Sequence, residues 1–208
     1  YFCREFNNTL SRDVIMPKIN SAMRVTFGCM FLLIPVLVAF DNPRMMKVKV
    51  PGGISISVPK TWRPMDELDL RERYPSVRSP LAAYTNEDRL VDFSVNISAT
   101  QWPDANLELA QKFFKASFYN NFDRVDIVEE GIREIRGRKY VYFIFESTIK
   151  GNPMELGQKE SILTFNHVQY LVEPGRTLAF SFHCPRRMRS DWQETAQQMM
   201  LAVRIKKQ

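Results

Sequence analysis

Two periodicities take turns along the chain, and the points where one yields to the other mark its elements. Val91, Phe93, Val95, Ile97 and Ala99 alternate with Asp92, Ser94, Asn96 and Ser98. A period of two predicts a strand with one face buried and the other wet, as in an antiparallel sheet. Residues 104–121 change to a helical period: Leu107, Ala110, Phe113, Phe114, Ser117 and Phe118 form one stripe, opposite Glu108, Gln111, Lys112 and Lys115. Asp104 is placed to cap this helix, and Glu108–Lys112 has the i,i+4 spacing of a favourable pair.

On either side the pattern returns to strands. Residues 46–50, a Pro51-Gly52-Gly53 turn and the run Ile54, Ile56, Val58 predict a hairpin closed by Pro59, with Trp62 plugging one end of the core. Residues 66–78 are charged and predict a short helical or loop excursion, and Leu81–Tyr84 a strand. After the helix, strands are predicted at about 124–129, 132–136, 139–149, 159–166, 168–172 and 176–184. The run Tyr140 to Phe145 is apolar on both faces, which marks a strand covered on both sides. On the strand at 176–184, Leu178, Phe180 and Phe182 face one way and Thr177, Ala179, Ser181 and His183 the other. Ser190 with Gln193 three residues on reads as a capping box for a last helix, whose Trp192, Ala196, Met199 and Val203 face inward. Hairpins plus two amphipathic helices make an α+β class, an antiparallel sheet packed by helices, and not the regular alternation of a doubly wound fold.

One stretch has neither period. The sixteen residues from Val25 to Phe40 carry no charge, follow Lys18 and Arg24, and end at Asp41-Asn42-Pro43. A basic flank, an apolar run and a polar turn are the grammar of an export signal. The run is shorter than the roughly 20 apolar residues of a spanning helix, and Gly28 and Pro35 weaken it as a helix. A cleaved signal peptide and a membrane anchor both remain open for residues 16–40. Residues 1–15 lack periodicity and precede Met16 and Met23, so they are expected to be upstream or non-native sequence. The folded domain is expected over residues 41–208, outside the cytoplasm, exported or held at a membrane through residues 25–40.

Charge narrows the partners. The net charge is +6, and beyond residue 39 the basic residues are scattered among acidic ones. Nucleic-acid binders gather their surplus into a stripe, so none is expected here. The cluster Arg186, Arg187 and Arg189 just ahead of the last helix is the exception. Helix N-terminal amides favour anions, so these arginines form a candidate anion or partner patch, although Asp191 and Glu194 already complement that helix end.

Catalytic and metal chemistry finds little to stand on. The only histidines are His167, at a predicted break between strands, and His183. Cys184 is the one cysteine beyond the apolar run, and as neighbours on a strand Cys184 and His183 point to opposite faces. Glu129 and Glu130 diverge in the same way. Glu146, close to an apolar strand, is the carboxylate of most interest. No zinc-protease, nucleophile-elbow, phosphate-loop or dinucleotide motif is present. No metal, cofactor or catalytic residue is expected.

Three stretches together resemble a known family. GISISVPKTW at 53–62, a helix flanked by long strands, and the terminal strand and helix SFHCPRRMRSDWQETAQQMMLAVRI are similar to the PsbP-like superfamily, which includes extrinsic photosystem subunits, DcrB-type envelope proteins and Mog-type Ran-binding proteins. The resemblance covers about residues 46–207. It implies an α/β/α sandwich around a mainly antiparallel sheet and a non-enzymatic binding or assembly role. The leading expectation is an envelope protein that binds a protein partner or supports assembly of a membrane complex. The alternative is a small-molecule or lipid-binding module using space between the helix at 104–121 and the sheet. An enzyme would need a pocket gathering Glu146, a histidine and a polar donor.

Overall fold

A computed structural model describes residues 43–74, 78–100, 102, 104–151 and 160–206; the apolar segment 25–40 and residues 1–15 lie outside them. The first described element is the predicted hairpin. β1 (Met45–Val50) pairs antiparallel with β2 (Ile54–Pro59) around Pro51-Gly52-Gly53, and Gly52 and Gly53 take positive φ at the turn. After β3 (Arg63–Pro64), Asp66 caps α1 (Glu67–Arg73) by a capping box with Asp69. β4 (Ala82–Thr85) and β5 (Asp92–Ile97) follow, then α2 (Leu107–Asn121). Four long strands come next, each antiparallel to the one before: β6 (Arg124–Ile135), β7 (Arg138–Ile149), β8 (Ile162–Glu173) and β9 (Arg176–Pro185). A 3₁₀ turn (Arg186–Met188) leads into α3 (Arg189–Leu201), and β10 (Arg204–Ile205) ends the described chain.

Every neighbouring pair in the seven-stranded sheet, ordered β3-β4-β5-β9-β8-β7-β6, is antiparallel. Its two faces carry two separate cores. On one, Phe114 and Phe118 of α2 pack on Val141, Phe143, Phe145, Val168 and Tyr170. On the other, Ala196, Met199 and Met200 of α3 meet Phe165, Leu171, Leu178, Phe180 and Phe182, joined by Ile54, Ile56 and Val58 of the small sheet β1-β2-β10. Helices thus lie on both faces, and Trp62 closes one end, 6.3 Å from Phe182 and 5.5 Å from Trp192 between ring centres.

Several boundaries differ from the sequence reading for identifiable reasons. The strands at 124–129 and 132–136 are one strand: Gly131 sits mid-strand under Tyr142, whose ring lies 3.3 Å from where a glycine Cβ would be, and a bulge at Ile127/Glu129 absorbs the irregularity. The break at His167 is absent as well, because its ring is buried between Ile144 and Phe182 on adjoining strands. Asn106, not Asp104, caps α2, its side chain accepting from the Leu109 N–H at 3.0 Å. Ser190 lies inside the first turn of α3, and its hydroxyl turns to Asp191 instead of capping. Val203 is buried, but past the end of the helix. Asp92 and Ser94 are buried where alternation predicted a wet face, because the end of α1 reaches Asp92.

Candidate functional site

A polar rung crosses the α2 face of the sheet just beyond the aromatic core. The register sets Asn166 of β8 beside His183 of β9, and His183 beside Asp92 of β5. Ser147 of β7 joins diagonally, its hydroxyl 2.9 Å from Asn166 Nδ2. Asn166 Nδ2 also faces the carbonyls of Thr164 (3.2 Å) and Phe145 (3.4 Å). Carbonyls only accept, so this edge of the amide is the NH₂. Asn166 Oδ1 is then the atom 2.7 Å from His183 Nδ1, and that nitrogen carries the proton. Burial pulls the His183 pKa down against the raising effect of Asp92, so the ring is neutral and Nε2 is a bare acceptor.

Asp92 is neutralised from the other side. At the end of α1, Arg73 pairs with Oδ2 at 3.0 Å and the Tyr74 hydroxyl donates to Oδ1 at 2.9 Å. Burial and the Asp92 charge both push the Tyr74 pKa up. α1 is itself anchored by Asp69, fully buried and ion-paired with Arg63 at 3.0 Å and with Arg89. Burial raises the Asp69 pKa, but the Asp66 backbone N–H and the two arginines outweigh it and the carboxyl ends below its ordinary value. The β4–β5 turn is held by Asn86, whose Oδ1 accepts from the N–H groups of Leu90 (2.9 Å) and Val91 (3.0 Å).

Together these elements wall an open cleft of about 1030 Å³. His183, Asp92, Tyr74 and Thr164 lie on its polar side, Leu90, Ile149, Ile162 and Leu163 on its apolar side, and Arg73, Arg89, Arg186 and Arg187 around it. Leu90, Ile149 and Ile162 are exposed despite being aliphatic.

The three arginines singled out from the sequence have different surroundings. Arg189 bonds Glu146 at 2.7 Å and lies over the Phe165 ring, and Arg186 reaches the same carboxylate at 3.7 Å. Arg187 lines the cleft and has no ion pair or hydrogen bond among the described residues. Glu146 and His183 stand on opposite faces of the sheet. His167 shares the face of Glu146 but is sealed from solvent, and burial drops its pKa to about 3. Cys184 packs in the α3-side core, away from His183, with its pKa pushed up to about 12 by burial. Glu129 bonds Tyr142 while Glu130 bonds Lys115 of α2, so the two carboxylates do diverge. The expected space between α2 and the sheet is filled: Phe114 stacks on Tyr170 at 3.7 Å and Phe118 on Phe145 at 4.5 Å. No cluster of His, Cys, Asp and Glu among the described residues is arranged to hold a metal ion.

The sequence reading passed over Asp92, Asn166 and Tyr74. Asp92 and Asn166 were hidden because a polar residue in a strand ordinarily marks the wet face; the available signal was a carboxylate opening a strand whose neighbours are apolar.

No family model matches the chain, and no curated protein matches it in sequence. The similarity lies in the architecture instead: the antiparallel seven-stranded sheet with helices on both faces is like that of solved structures with the PsbP-like fold. The cyanobacterial PsbP (CyanoP) of Synechocystis sp. PCC 6803 is similar with a TM-score of 0.55 at 9% identity, over 78% of this chain and 92% of that one. The Ran-binding protein Mog1p of Saccharomyces cerevisiae gives 0.49 at 12%, over 78% and 96%. LpqN of Mycobacterium tuberculosis, involved in cell envelope biogenesis, gives 0.49 at 14%, over 79% and 91%. The likeness to CyanoP bears out, at the level of fold, the family resemblance drawn from residues 53–62 and the C-terminal strand and helix, and identities this low transfer no residue's role.

Proposed function

We propose that this is an exported or membrane-anchored envelope protein whose PsbP-like domain is a non-enzymatic binding module, engaging a protein partner through the cleft and supporting assembly of a membrane complex. The observation that carries the reading is the division of labour in the cleft. Its reactive groups are spent internally: Asp92 on Arg73 and Tyr74, and the His183 Nδ1 proton on Asn166. The groups left without a partner among the described residues are recognition groups, namely Arg187, the His183 acceptor and the exposed aliphatic residues. The export segment at 25–40 supports the address. Among the described residues no helix is long and apolar enough to cross a membrane. Gentle detergent extraction of the native envelope should yield the protein in a larger complex that Ile162→Glu dissolves. Recovery as a lone monomer would sink the proposal.

A small-molecule or lipid-binding role is the second reading. It is favoured by the cleft's volume, which lies near the upper end for ligand pockets. Native mass spectrometry of the extracted protein should then retain a ligand that Ile162→Glu releases.

A further inference from the structure

We infer that the cleft takes an extended peptide segment of the partner, one that gives a backbone N–H to His183 and sets an aliphatic side chain and then a carboxylate at the other end, against Ile149 and Ile162 and between Arg186 and Arg187. This rests on the reading of the cleft as the binding face.

The recognition groups are spread along the strand direction. His183 is level with Asn166, Pro185 with Thr164, and Ile162 with Ile149. From Asn166 to Ile162 is four residues of β8, roughly 13 Å at the strand rise. That is the reach of about four residues of extended chain.

Each position also asks for a particular group. His183 Nε2 can only accept while the ring is neutral, and it has no partner among the described residues. A fatty carboxylate has no donor to offer it, whereas every non-proline residue of a peptide has one. Ile149 and Ile162, paired across β7 and β8 and exposed by 39% and 49%, form an apolar platform at the far end.

The charges call for a single anion. Arg73 is committed to Asp92, and Arg89 to Asp69 and Glu72. Arg186 is held only at 3.7 Å by a carboxylate it shares with Arg189, and Arg187 has no ion pair among the described residues. Glu160 is the one acidic residue of the lining without a partner among the described residues. As a lining carboxylate it disfavours a strongly acidic stretch.

The carboxylate could be a side chain or a chain end, and three fluorescein-labelled hexapeptides separate these: Gly-Ser-Leu-Val-Leu-Glu amide, Gly-Ser-Leu-Val-Leu-Gln amide and Gly-Ser-Leu-Val-Leu-Leu free acid. Fluorescence anisotropy with the whole protein should show at least one carboxylate peptide binding ten or more times tighter than the Gln amide. Whichever of the two binds tighter names the source. The Arg186→Ser/Arg187→Ser double variant should erase that preference, and Ile162→Ser should weaken all three. Both sites are exposed, so an unchanged Tm should accompany either variant. Equal binding of acid and amide peptides, or a preference that survives in the double variant, overturns the inference. Decanoate displacing the peptides at comparable affinity also overturns it, in favour of an amphiphile. If no peptide binds while Ile162→Glu still dissolves the native complex, the peptide assignment falls and the cleft remains the binding face.

Discussion

Asp69 is the residue on which the α1 wall of the cleft depends. It is a carboxylate with no solvent exposure, held by Arg63, Arg89 and the Asp66 backbone. Removing one partner of a buried ion pair costs about 3–5 kcal/mol, and the partial exposure of both arginines (42% and 39%) lowers that toward ~2 kcal/mol. Asp69→Ala should therefore shift the urea midpoint by an amount equivalent to ~2–3 kcal/mol, whereas Arg71→Ala, which breaks only the exposed Glu67 pair, should change it by less than about 0.5 kcal/mol. Cys184 offers a second check at this scale. With its pKa pushed up to about 12 and its side chain buried, the thiol should resist iodoacetamide at pH 8 in the native protein and react promptly in urea. Rapid native labelling would show that the strand end at His183–Pro185 opens locally.

At the scale of elements, the β6–β7 hairpin shows where local sequence is suboptimal. Its two-residue turn, Arg136-Gly137, has positive φ at both positions, 53° and 75°, the type I′ conformation that asparagine and glycine prefer. Arg136→Asn should stabilise the protein by about 0.5 kcal/mol and Gly137→Ala should destabilise it by about 1 kcal/mol; thermal melts that reverse this order would contradict the turn assignment. Helix and strand identities were legible from periodicity, since α2, α3 and the hairpins follow the stripes that predicted them. Boundaries were less so. Gly131 and His167 read as breaks because each is a poor strand former alone, yet Tyr142 covers one and Phe182 and Ile144 flank the other. Ser190 had the right partner at Gln193 for a capping box, but the 3₁₀ turn begins the descent earlier and leaves that serine inside the helix.

Over the whole molecule, the two cores share one sheet, so the faces should fail together. Phe180→Ala on the α3 side and Phe118→Ala on the α2 side should each cost about 3–5 kcal/mol, with near-UV and far-UV signals losing structure in a single transition. Acid should destabilise the fold through His167. Its pKa is about 3 when folded and about 6.5 when unfolded, so its contribution is whole above 6.5 and drains away as pH falls toward 3. The slope is at most about 1.4 kcal/mol per pH unit. His183, also lowered by burial, acts in the same direction. Asp69, with its lowered pKa, adds a loss only below the ordinary carboxylate range. Urea unfolding at pH 7, 5 and 4 should show falling stability, and His167→Leu should flatten the profile; an unchanged slope would mean that this histidine does not carry the effect.

The sequence by itself determined the uncharged apolar run at 25–40, the α+β class, the two amphipathic helices, the hairpin before Trp62 and the resemblance that the fold bears out. These are properties of neighbouring residues, written in periods of two and 3.6 and in turn chemistry. Only the tertiary structure decided that β9 lies between β5 and β8, and from that single placement the cleft follows. Asp92, His183, Asn166 and Ser147 lie far apart in the chain, and no periodicity relates them until strand pairing sets them in one rung. Strand order is chosen by the burial of both sheet faces at once, a global balance that no local window contains.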